Sequence, residues 1–410
     1  MDRSDNVTRR RFIGAVGAAA LVGVPGAALA DDSKKRRPSS KDDVPMFRGN
    51  PTHTFYGTGP VAEKLVVRWK HKMGAYVSPA AAHRKRKVWA GTGWTGTAIY
   101  VGGKVIIGSL DSKIYCFDGA TGKVQWRYQG GAMFKSSACH NDGRIYIGNV
   151  DNRMHCVDAQ NGKRLWRYNT GSDLDSSPCV YRGNLYFGGE NGYLHCLDPI
   201  KGKVIWRRML GGLKGPPGSC GVEASPALKN GRVYASTFAG DLFCCDARTG
   251  KVIWKTRTHG DTDVSPVISG GRIFTAAEEE SPHVYCFDLA KGKEVWRFGN
   301  KLGWWSTPAV VGRRLYIGGQ DRKLYCLDTR TGKPLWTFPN RARVWSSPAV
   351  VDGKVIFGGC DSRLYMLDAK SGKLIFKKNL GGIMLSSPCV VRGTVYIGTC
   401  SGMFYALGPA

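Results

Sequence analysis

The chain has 410 residues, with 60 Lys and Arg against 31 Asp and Glu, so its net charge is +29. Such a charge attracts anionic partners, but the internal repeat places much of it on turns and outer strands, and no base-stacking module accompanies it. We therefore expect a solvated basic rim that attracts a protein or an anionic envelope polymer, and we do not expect a nucleic-acid surface.

The N-terminal residues resemble an export signal. Residues 8–13 read TRRRFI, which resembles a twin-arginine signal, and Ala28-Leu29-Ala30 offers a small-residue cleavage site. The apolar run between them is too short and too rich in Gly and Ala to predict a membrane span. We assign residues 1–30 to a signal peptide and expect a periplasmic or other extracytoplasmic protein. Residues 31–45 are charged and Ser-rich, and predict a disordered leader.

Residues 46–410 are organised by one repeat. The stretch FDGATGKVQW, which ends at Trp126, returns six times at steps of 40, 40, 48, 42, 40 and 40 residues. Each unit contains four short runs rich in β-branched and aromatic residues, separated by tight turns such as Asp352-Gly353. Four short strands in a unit of this length predict one blade of a β-propeller.

The two ends of the repeat array complete each other. Eight units contain a third strand, but the last unit stops at Leu407 without a fourth, and the run VVRWKHK around Trp69 has no blade before it. Pairing the two would close the ring and remove an exposed sheet edge. The sequence therefore predicts an all-β fold, an eight-bladed β-propeller of four-stranded antiparallel blades over residues 46–410. We expect a monomer.

The repeat carries a family resemblance. Its pattern D-x-x-T/S/N-G-K-x-x-W resembles the repeat of pyrroloquinoline-quinone (PQQ) propellers, and residues 46–51, MFRGNP, with His53, resemble the leading segment of exported members. The resemblance implies a structural role for the repeated indoles, which dock between neighbouring blades. These are Trp126, Trp166, Trp206, Trp254, Trp296 and Trp336.

The resemblance leaves the function open, because a fold hosts several functions. Some relatives are PQQ-dependent alcohol or sugar dehydrogenases that use calcium, and others are non-catalytic scaffolds, such as the propeller lipoprotein of the outer-membrane barrel-assembly machinery. We favour a binding or scaffold module in the cell envelope. The alternatives are a small PQQ-dependent oxidoreductase and a glycan- or polymer-binding envelope protein.

The cysteines disfavour the oxidoreductase. The chain has no C-x-x-C-H haem site, and Cys244-Cys245, which resembles the vicinal disulfide of some quinone enzymes, includes the repeat's ordinary third-strand position. Equivalent positions in neighbouring blades should lie about 10 Å apart, beyond the roughly 7 Å Cα limit for a disulfide. We therefore predict that the repeated cysteines do not bridge to one another, and that Cys360 does not bridge to Cys400.

One variable position points to a candidate site. The residue before each S-S-P motif should ring the mouth of the channel, on the face that also carries the insertions at residues 80–94, 210–222 and 278–282. The predicted binding ring comprises Lys135, Asp175, Glu223, Asp263, Trp305 and Trp345, followed by Leu385. Its carboxylates suit a cation or a polyol, and its indoles suit a planar ring or sugar. In an oxidoreductase Asp175, Glu223 or Asp263 would be the base and a calcium ligand. We assign no catalytic residue and no dedicated metal motif.

Overall fold

The computed structural model describes residues 40–76, 89–90, 96–211, 221–278 and 280–410. The predicted signal peptide lies outside the described residues, as do most of the leader and most of the first two insertions.

Eight four-stranded antiparallel sheets follow one another around a ring, which confirms the predicted eight-bladed propeller. From the innermost strand outwards, blade 1 contains Ile99–Val101, Lys104–Gly108, Lys113–Asp118 and Val124–Gln129, and blade 2 contains Cys139–Asn141, Arg144–Asn149, Arg153–Asp158 and Arg164–Asn169. Blade 3 contains Cys179–Tyr181, Asn184–Gly188, Tyr193–Leu197 and Val204–Met209, and blade 4 contains Ala227–Lys229, Arg232–Thr237, Asp241–Asp246 and Val252–Arg257. Blade 5 contains Val267–Ser269, Arg272–Ala276, His283–Asp288 and Glu294–Gly299, and blade 6 contains Ala309–Val311, Arg314–Gly318, Lys323–Asp328 and Pro334–Pro339. Blade 7 contains Ala349–Val351, Lys354–Gly358, Arg363–Asp368 and Leu374–Asn379, and blade 8 contains Cys389–Val391, Thr394–Gly398, Met403–Pro409 and Leu65–Lys72.

The ring closes where the sequence predicts. The strand Leu65–Lys72 pairs antiparallel with Met403–Pro409 and becomes the outer strand of blade 8, with Trp69 opposite Ala406. A separate two-stranded sheet joins Ala75–Tyr76 to Trp89–Ala90. Because the N-terminal strand completes the C-terminal blade, that blade has the same four strands as the others.

The burial of each strand follows its place in the blade. Second and third strands are buried on both faces because neighbouring blades pack against both sides of them, as in Lys113–Asp118. Outer strands such as Val124–Gln129 alternate between covered and exposed residues because only one of their faces meets a neighbour. Each hydrophobic cluster therefore joins residues from adjacent blades.

The repeated tryptophans lie between blades. The Nε1–H of Trp296 donates to the carbonyl oxygen of Thr329 in the next blade at 2.9 Å, and its ring packs on Gly332, where an added Cβ would lie 2.6 Å from the indole. Trp69 of the closing strand makes the same contact with Gly119 and Gly122 of blade 1. The glycine of the T-G-K turn thus leaves the space that the neighbouring indole fills.

An N-terminal plug, residues 42–61, fills the channel at the face opposite the predicted mouth. It contacts the inner part of every blade, and in most of them it pairs with the polar edge of the innermost strand. In blade order the contacts are Val44 with Tyr100, Pro45 O with His140 N at 2.6 Å, Met46 Sδ with Cys179 Sγ at 3.7 Å, Pro51 O with Leu228 N at 2.7 Å, Thr52 O with Ile268 N at 3.0 Å, Tyr56 Oη with Val310 N at 2.7 Å, Arg48 with Pro348 O, and Thr58 N with Val390 O at 3.1 Å.

Two buried polar residues anchor the plug. The Arg48 guanidinium donates to the carbonyl oxygens of Thr307, Pro308 and Pro348, and burial lowers the pKa of Arg48 to about 10. The Nδ1 of His53 lies 2.8 Å from the carbonyl oxygen of Pro266. Burial lowers the pKa of His53 to about 4, so this ring is neutral at pH 7. These two side chains therefore bind backbone carbonyl groups next to the inner strands of blades 5, 6 and 7.

The plug begins earlier than composition predicts. Asp42, Val44 and Pro45 fall within the expected disordered leader of residues 31–45, but Asp42 and Val44 are buried. Asp42 accepts a 2.7 Å hydrogen bond from Arg392 Nε, and Val44 pairs with Tyr100. Composition predicts disorder because it takes only the charged residues of this segment into account. It cannot include the hydrogen-bond partners that the edge of an inner strand supplies.

Candidate functional site

A chain of hydrogen bonds between blades shapes the channel mouth. In blades 1 to 7, the backbone N–H of the second residue in the S-S-P-like motif donates to the side-chain hydroxyl of the equivalent residue in the next blade, at 2.9–3.2 Å. The pairs are Thr97 to Ser137, Ser137 to Ser177, Ser177 to Ser225, Ser225 to Ser265, Ser265 to Thr307, Thr307 to Ser347 and Ser347 to Ser387. These hydrogen bonds repeat the same local geometry from blade to blade. The variable residue, which lies two positions before the donor residue, therefore recurs at the same height along the channel.

The predicted ring residues fall into three groups. Lys135, Asp175 and Glu223 meet on the side formed by blades 2, 3 and 4, where Lys135 Nζ lies 2.8 Å from Asp175 Oδ2. Asp263 belongs to a second acidic group in blade 5. Trp305 and Trp345 pack on each other in blades 6 and 7. The predicted mouth therefore has an acidic wall and an aromatic wall.

Each acidic group also contains residues that sequence reasoning missed. Carboxylate oxygens of Asp175, Glu190 and Glu223 all lie within 4.8 Å of one another, as do those of Asp261, Asp263 and Glu278. Glu190 and Glu278 occupy one repeat position, just after the second strand. Their N–H groups donate to the carbonyl oxygens of Asp173 at 3.2 Å and Asp261 at 2.9 Å, respectively.

A sequence signal for these residues exists. Blades 3 and 5 carry Asp-x-Asp at residues 173–175 and 261–263, and both carry Glu after the second strand. Blade 4 instead has Gly221 at the position of the first Asp and Phe238 at the position of the Glu. Aligning the position after the second strand, and not only the position before S-S-P, would have found Glu190 and Glu278.

Burial and like charges shift the ionisation of the acidic wall. The pKa of Glu190 rises to about 9, through burial and the nearby Asp175 and Glu223, and that of Asp173 rises to about 6 through burial and Asp175. Burial alone would lower the pKa of Lys135, but Asp175, Glu190 and Glu223 together raise it. The Oδ1 of Asp175 is buried and receives no hydrogen bond from any described residue. Lys135 is therefore a counter-ion for the carboxylates of Asp175, Glu190 and Glu223.

The aromatic wall differs from an open stacking platform. The ring centroids of Trp305 and Trp345 lie 4.3 Å apart with an interplanar angle of 30°, and the Arg343 guanidinium lies 5.5 Å from the centre of the Trp345 ring. The two indoles therefore cover one face of each other, and Arg343 lies against Trp345. Beyond them, Leu385 is buried.

The thiols near the mouth are unreactive in character. Cys360 and Cys400 occupy the same repeat position as Glu190, and no disulfide joins them, as predicted. Burial raises the pKa of Cys360 to about 12 and that of Cys400 to about 11, so both stay protonated at neutral pH. The repeated third-strand cysteines are free thiols as well, as predicted.

The adjacent Cys244 and Cys245 do not reach the mouth. They lie in the third strand of blade 4, are fully buried, and are free thiols. Because successive strand residues point to opposite faces, Cys244 packs in the cluster shared with blade 5 and Cys245 in the cluster shared with blade 3. This pair therefore does not fit the role of a disulfide platform for a quinone.

The architecture has many solved counterparts. A europium-containing methanol dehydrogenase superposes with a TM-score of 0.76 at 14% identity, covering 90% of this chain and 98% of that chain. BamB from Moraxella catarrhalis gives 0.66 at 16% identity, covering 84% and 98%. The quinohemoprotein alcohol dehydrogenase from Comamonas testosteroni gives 0.73 at 14% identity, covering 90% and 81%. At these identities the likeness concerns the fold.

Fold and repeat together define this protein as a PQQ-like eight-bladed propeller. Residues 66–298 and 280–410 match the family described as outer membrane protein assembly factor BamB, and the chain belongs to that family. Among the curated proteins no match was found. The described part of the chain contains no helix of the length and apolarity needed to cross a membrane.

Proposed function

We propose that this protein is an exported binding or scaffold module of the cell envelope, and that its channel mouth receives a positively charged ligand. The observation that carries the proposal is the acidic wall, because it lies in a chain whose net charge is +29. Its carboxylates are Asp173, Asp175, Glu190, Glu223, Asp261, Asp263 and Glu278. A local field opposite in sign to the rest of the surface concentrates cations at the mouth.

The geometry supports a ligand that enters from one side. The N-terminal plug occupies the opposite end of the channel, so the mouth is the end that we propose as the entrance. Carboxylate oxygens within 4.8 Å of one another in Asp175, Glu190 and Glu223 suit a divalent cation or an ammonium group. Burial and the repulsion from Asp175 and Glu223 together raise the pKa of Glu190 to about 9, and a bound cation would offset both effects.

The test is equilibrium binding of calcium ions, spermidine and a lysine-rich peptide to the mature protein, by isothermal titration calorimetry at low and high salt. We expect at least one of them to bind, and the double variant Glu190→Gln with Glu223→Gln to bind about tenfold more weakly or worse. Glu63→Gln with Glu294→Gln, at two exposed positions, is the charge-matched control. The proposal fails if none of the three binds, or if the double variant matches the control.

A quinone-dependent oxidoreductase is the second candidate, because the same carboxylates are suitable ligands for calcium. The quinone itself fits less well. Cys244 and Cys245 lie away from the mouth, and Trp305 and Trp345 cover one face of each other. Titration with PQQ and calcium, followed by absorbance, tests this candidate. Saturable quinone binding that is lost in Glu223→Gln with Trp345→Ala would favour the enzyme over the scaffold.

The proposed location follows from the N-terminal address. A twin-arginine signal cleaved after Ala30 would deliver the folded propeller to the periplasm or another extracytoplasmic space. There the basic rim would attract an anionic envelope polymer or the acidic surface of a partner protein, while the mouth receives the cationic ligand. Cell fractionation and N-terminal sequencing of the mature protein test this location.

A further inference from the structure

A cleft opens between blades 5 and 6 on the face opposite the mouth. Its volume is about 310 Å³, and it is bounded by the first hairpin turn of each blade and by the turn after the third strand of blade 6. Three arginines line it, namely Arg272, Arg313 and Arg330. This volume lies at the lower end of the range for small-molecule sites. We call it the blade 5–6 cleft.

Small residues account for the space in this cleft. The first hairpin turn of blade 5 begins with Ser269 and Gly270, which line the cleft. At the equivalent position of blade 3 stands Tyr181, whose hydroxyl accepts a 3.1 Å hydrogen bond from Gly231 N and bridges to the next blade. The side chain of Ser269 is too short to reach the hairpin turn of the next blade in this way, so the boundary between blades 5 and 6 stays open.

Arg313 departs from the repeat. The second residue of this hairpin turn is glycine in the seven other blades, at Gly103, Gly143, Gly183, Gly231, Gly271, Gly353 and Gly393. In blade 6 the first turn residue is Gly312, whose φ is +56°. Because glycine occupies the first position of this turn, the second position can hold a residue other than glycine, here Arg313. The one hairpin that carries a cation at this position therefore borders the cleft.

Neighbouring groups position the guanidinium groups of Arg272 and Arg313. Arg272 donates from Nη1 to the carbonyl oxygens of Thr329 at 3.1 Å and Arg330 at 3.2 Å. Arg313 Nη2 lies 2.8 Å from Asp328 Oδ2, and the other oxygen of that carboxylate accepts the backbone N–H of Arg330 at 2.8 Å. Of the three arginines, Arg313 forms an ion pair with Asp328, whereas Arg272 donates to uncharged carbonyl oxygens, so the cleft keeps a local excess of positive charge.

We propose that the blade 5–6 cleft binds a phosphate group, either a free phosphate or the phosphate of a lipid headgroup. Guanidinium forks match phosphate oxygens in geometry and charge, and the hydroxyls of Ser269 and Thr329 border the same space. The site goes beyond the proposed cation site, because it lies on the opposite face and uses different residues.

The chain itself supplies conservative variants for the test. Arg313→Gly installs the glycine of the other hairpins, and Arg330→Ala installs the residue that blades 1 and 5 carry at that turn, Ala120 and Ala290. The matched control is Arg182→Asn, which removes an exposed arginine from the equivalent hairpin of blade 3 and installs the residue of blade 4, Asn230. The φ values of Arg182 and Asn230 are +49° and +52°, so this change keeps the turn.

Binding is measured with two probes on the mature protein. Inorganic phosphate is titrated by calorimetry, and vesicles of phosphatidylcholine with and without phosphatidylglycerol are tested by co-sedimentation. We expect each cleft variant to weaken binding by about fivefold or more, since a charge-assisted contact is lost, and we expect Arg182→Asn to stay close to the parent. Loss confined to the vesicle assay identifies a lipid headgroup, and loss of phosphate binding identifies a free phosphate.

Two results would overturn the proposal. One is equal binding of both probes by the parent, Arg313→Gly and Arg330→Ala, because the cleft would then contribute nothing. The other is an equal loss in Arg182→Asn, because binding would then follow total charge and not the cleft. Thermal unfolding of each variant checks that it is folded, and this check does not depend on the proposed cation site.

Discussion

Lys135 Nζ lies 2.8 Å from Asp175 Oδ2, across the boundary between blades 2 and 3. This ion pair is largely buried, with side-chain exposures of 21% and 6%. Lys135 therefore acts as a counter-ion, carried by the neighbouring blade, for the acidic wall. Its removal would leave Asp175 beside Glu190 and Glu223 without that compensation.

The first prediction concerns this pair. Lys135→Met should lower the free energy of unfolding by about 2–3 kcal/mol, somewhat less than the loss for a fully buried pair. Adding Glu223→Gln should recover part of the loss, because one repelling carboxylate is removed. Denaturant unfolding measures both, with Lys123→Met on an exposed turn as the control. Equal stability of Lys135→Met and the parent would mean that the pair contributes nothing.

The second prediction separates the closing strand from the plug. Deletion of residues 1–62 removes the plug but keeps Leu65–Lys72, whereas deletion of residues 1–72 removes both. We expect the longer deletion to unfold at a clearly lower temperature and to aggregate, because it exposes the edge of Met403–Pro409. Thermal unfolding and size-exclusion chromatography compare the two proteins. Identical behaviour would argue against a stabilising role for ring closure.

The third prediction concerns the docking indoles. Trp296→Ala should cost about 3–5 kcal/mol, as expected for emptying a buried aromatic site, because Trp296 is only 8% exposed. Gly332→Ala should also destabilise, since the added Cβ would lie 2.6 Å from that indole at a φ of +71°. Trp206→Ala, at a half-buried position, should cost less. Chemical denaturation tests the order, and a larger loss at Trp206 would contradict it.

The fourth prediction concerns pH. The pKa of His53 is about 4 in the folded protein, against about 6.5 in an unfolded chain. The unfolded state therefore binds more protons between these values, so stability is present above pH 6.5 and falls as the pH drops towards 4. The loss from this one residue approaches about 3 kcal/mol.

The variant for this test is His53→Asn, which keeps a hydrogen-bond donor and tolerates the φ of +61° at this position. Unfolding of the parent and the variant is compared at pH 7 and at pH 4.5. We expect the parent to lose more stability than the variant on acidification, while contributions from other buried groups cancel in the difference. Parallel pH profiles would show that His53 does not titrate in this window.

Sequence reasoning named part of the candidate site for a specific reason. The position before S-S-P is variable within an otherwise regular repeat, so Lys135, Asp175, Glu223, Asp263, Trp305 and Trp345 could be named from alignment alone. Glu190 and Glu278 were missed because they lie on a different connection, 15 residues further along the chain from Asp175 and Asp263. Only the folded blade brings the two connections together, through the backbone hydrogen bonds of Glu190 and Glu278.

The sequence by itself determined the number of blades, the pairing of the Trp69 strand with the end of the chain, and the role of the repeated indoles. These features depend on local strand patterns and on a period, both of which are visible in one dimension. The tertiary structure alone decided that residues 42–61 plug the channel, that Lys135 neutralises part of an acidic wall, and that Trp305 and Trp345 pack on each other. Those contacts join residues from different blades, and their distances depend on how the blades pack around the axis.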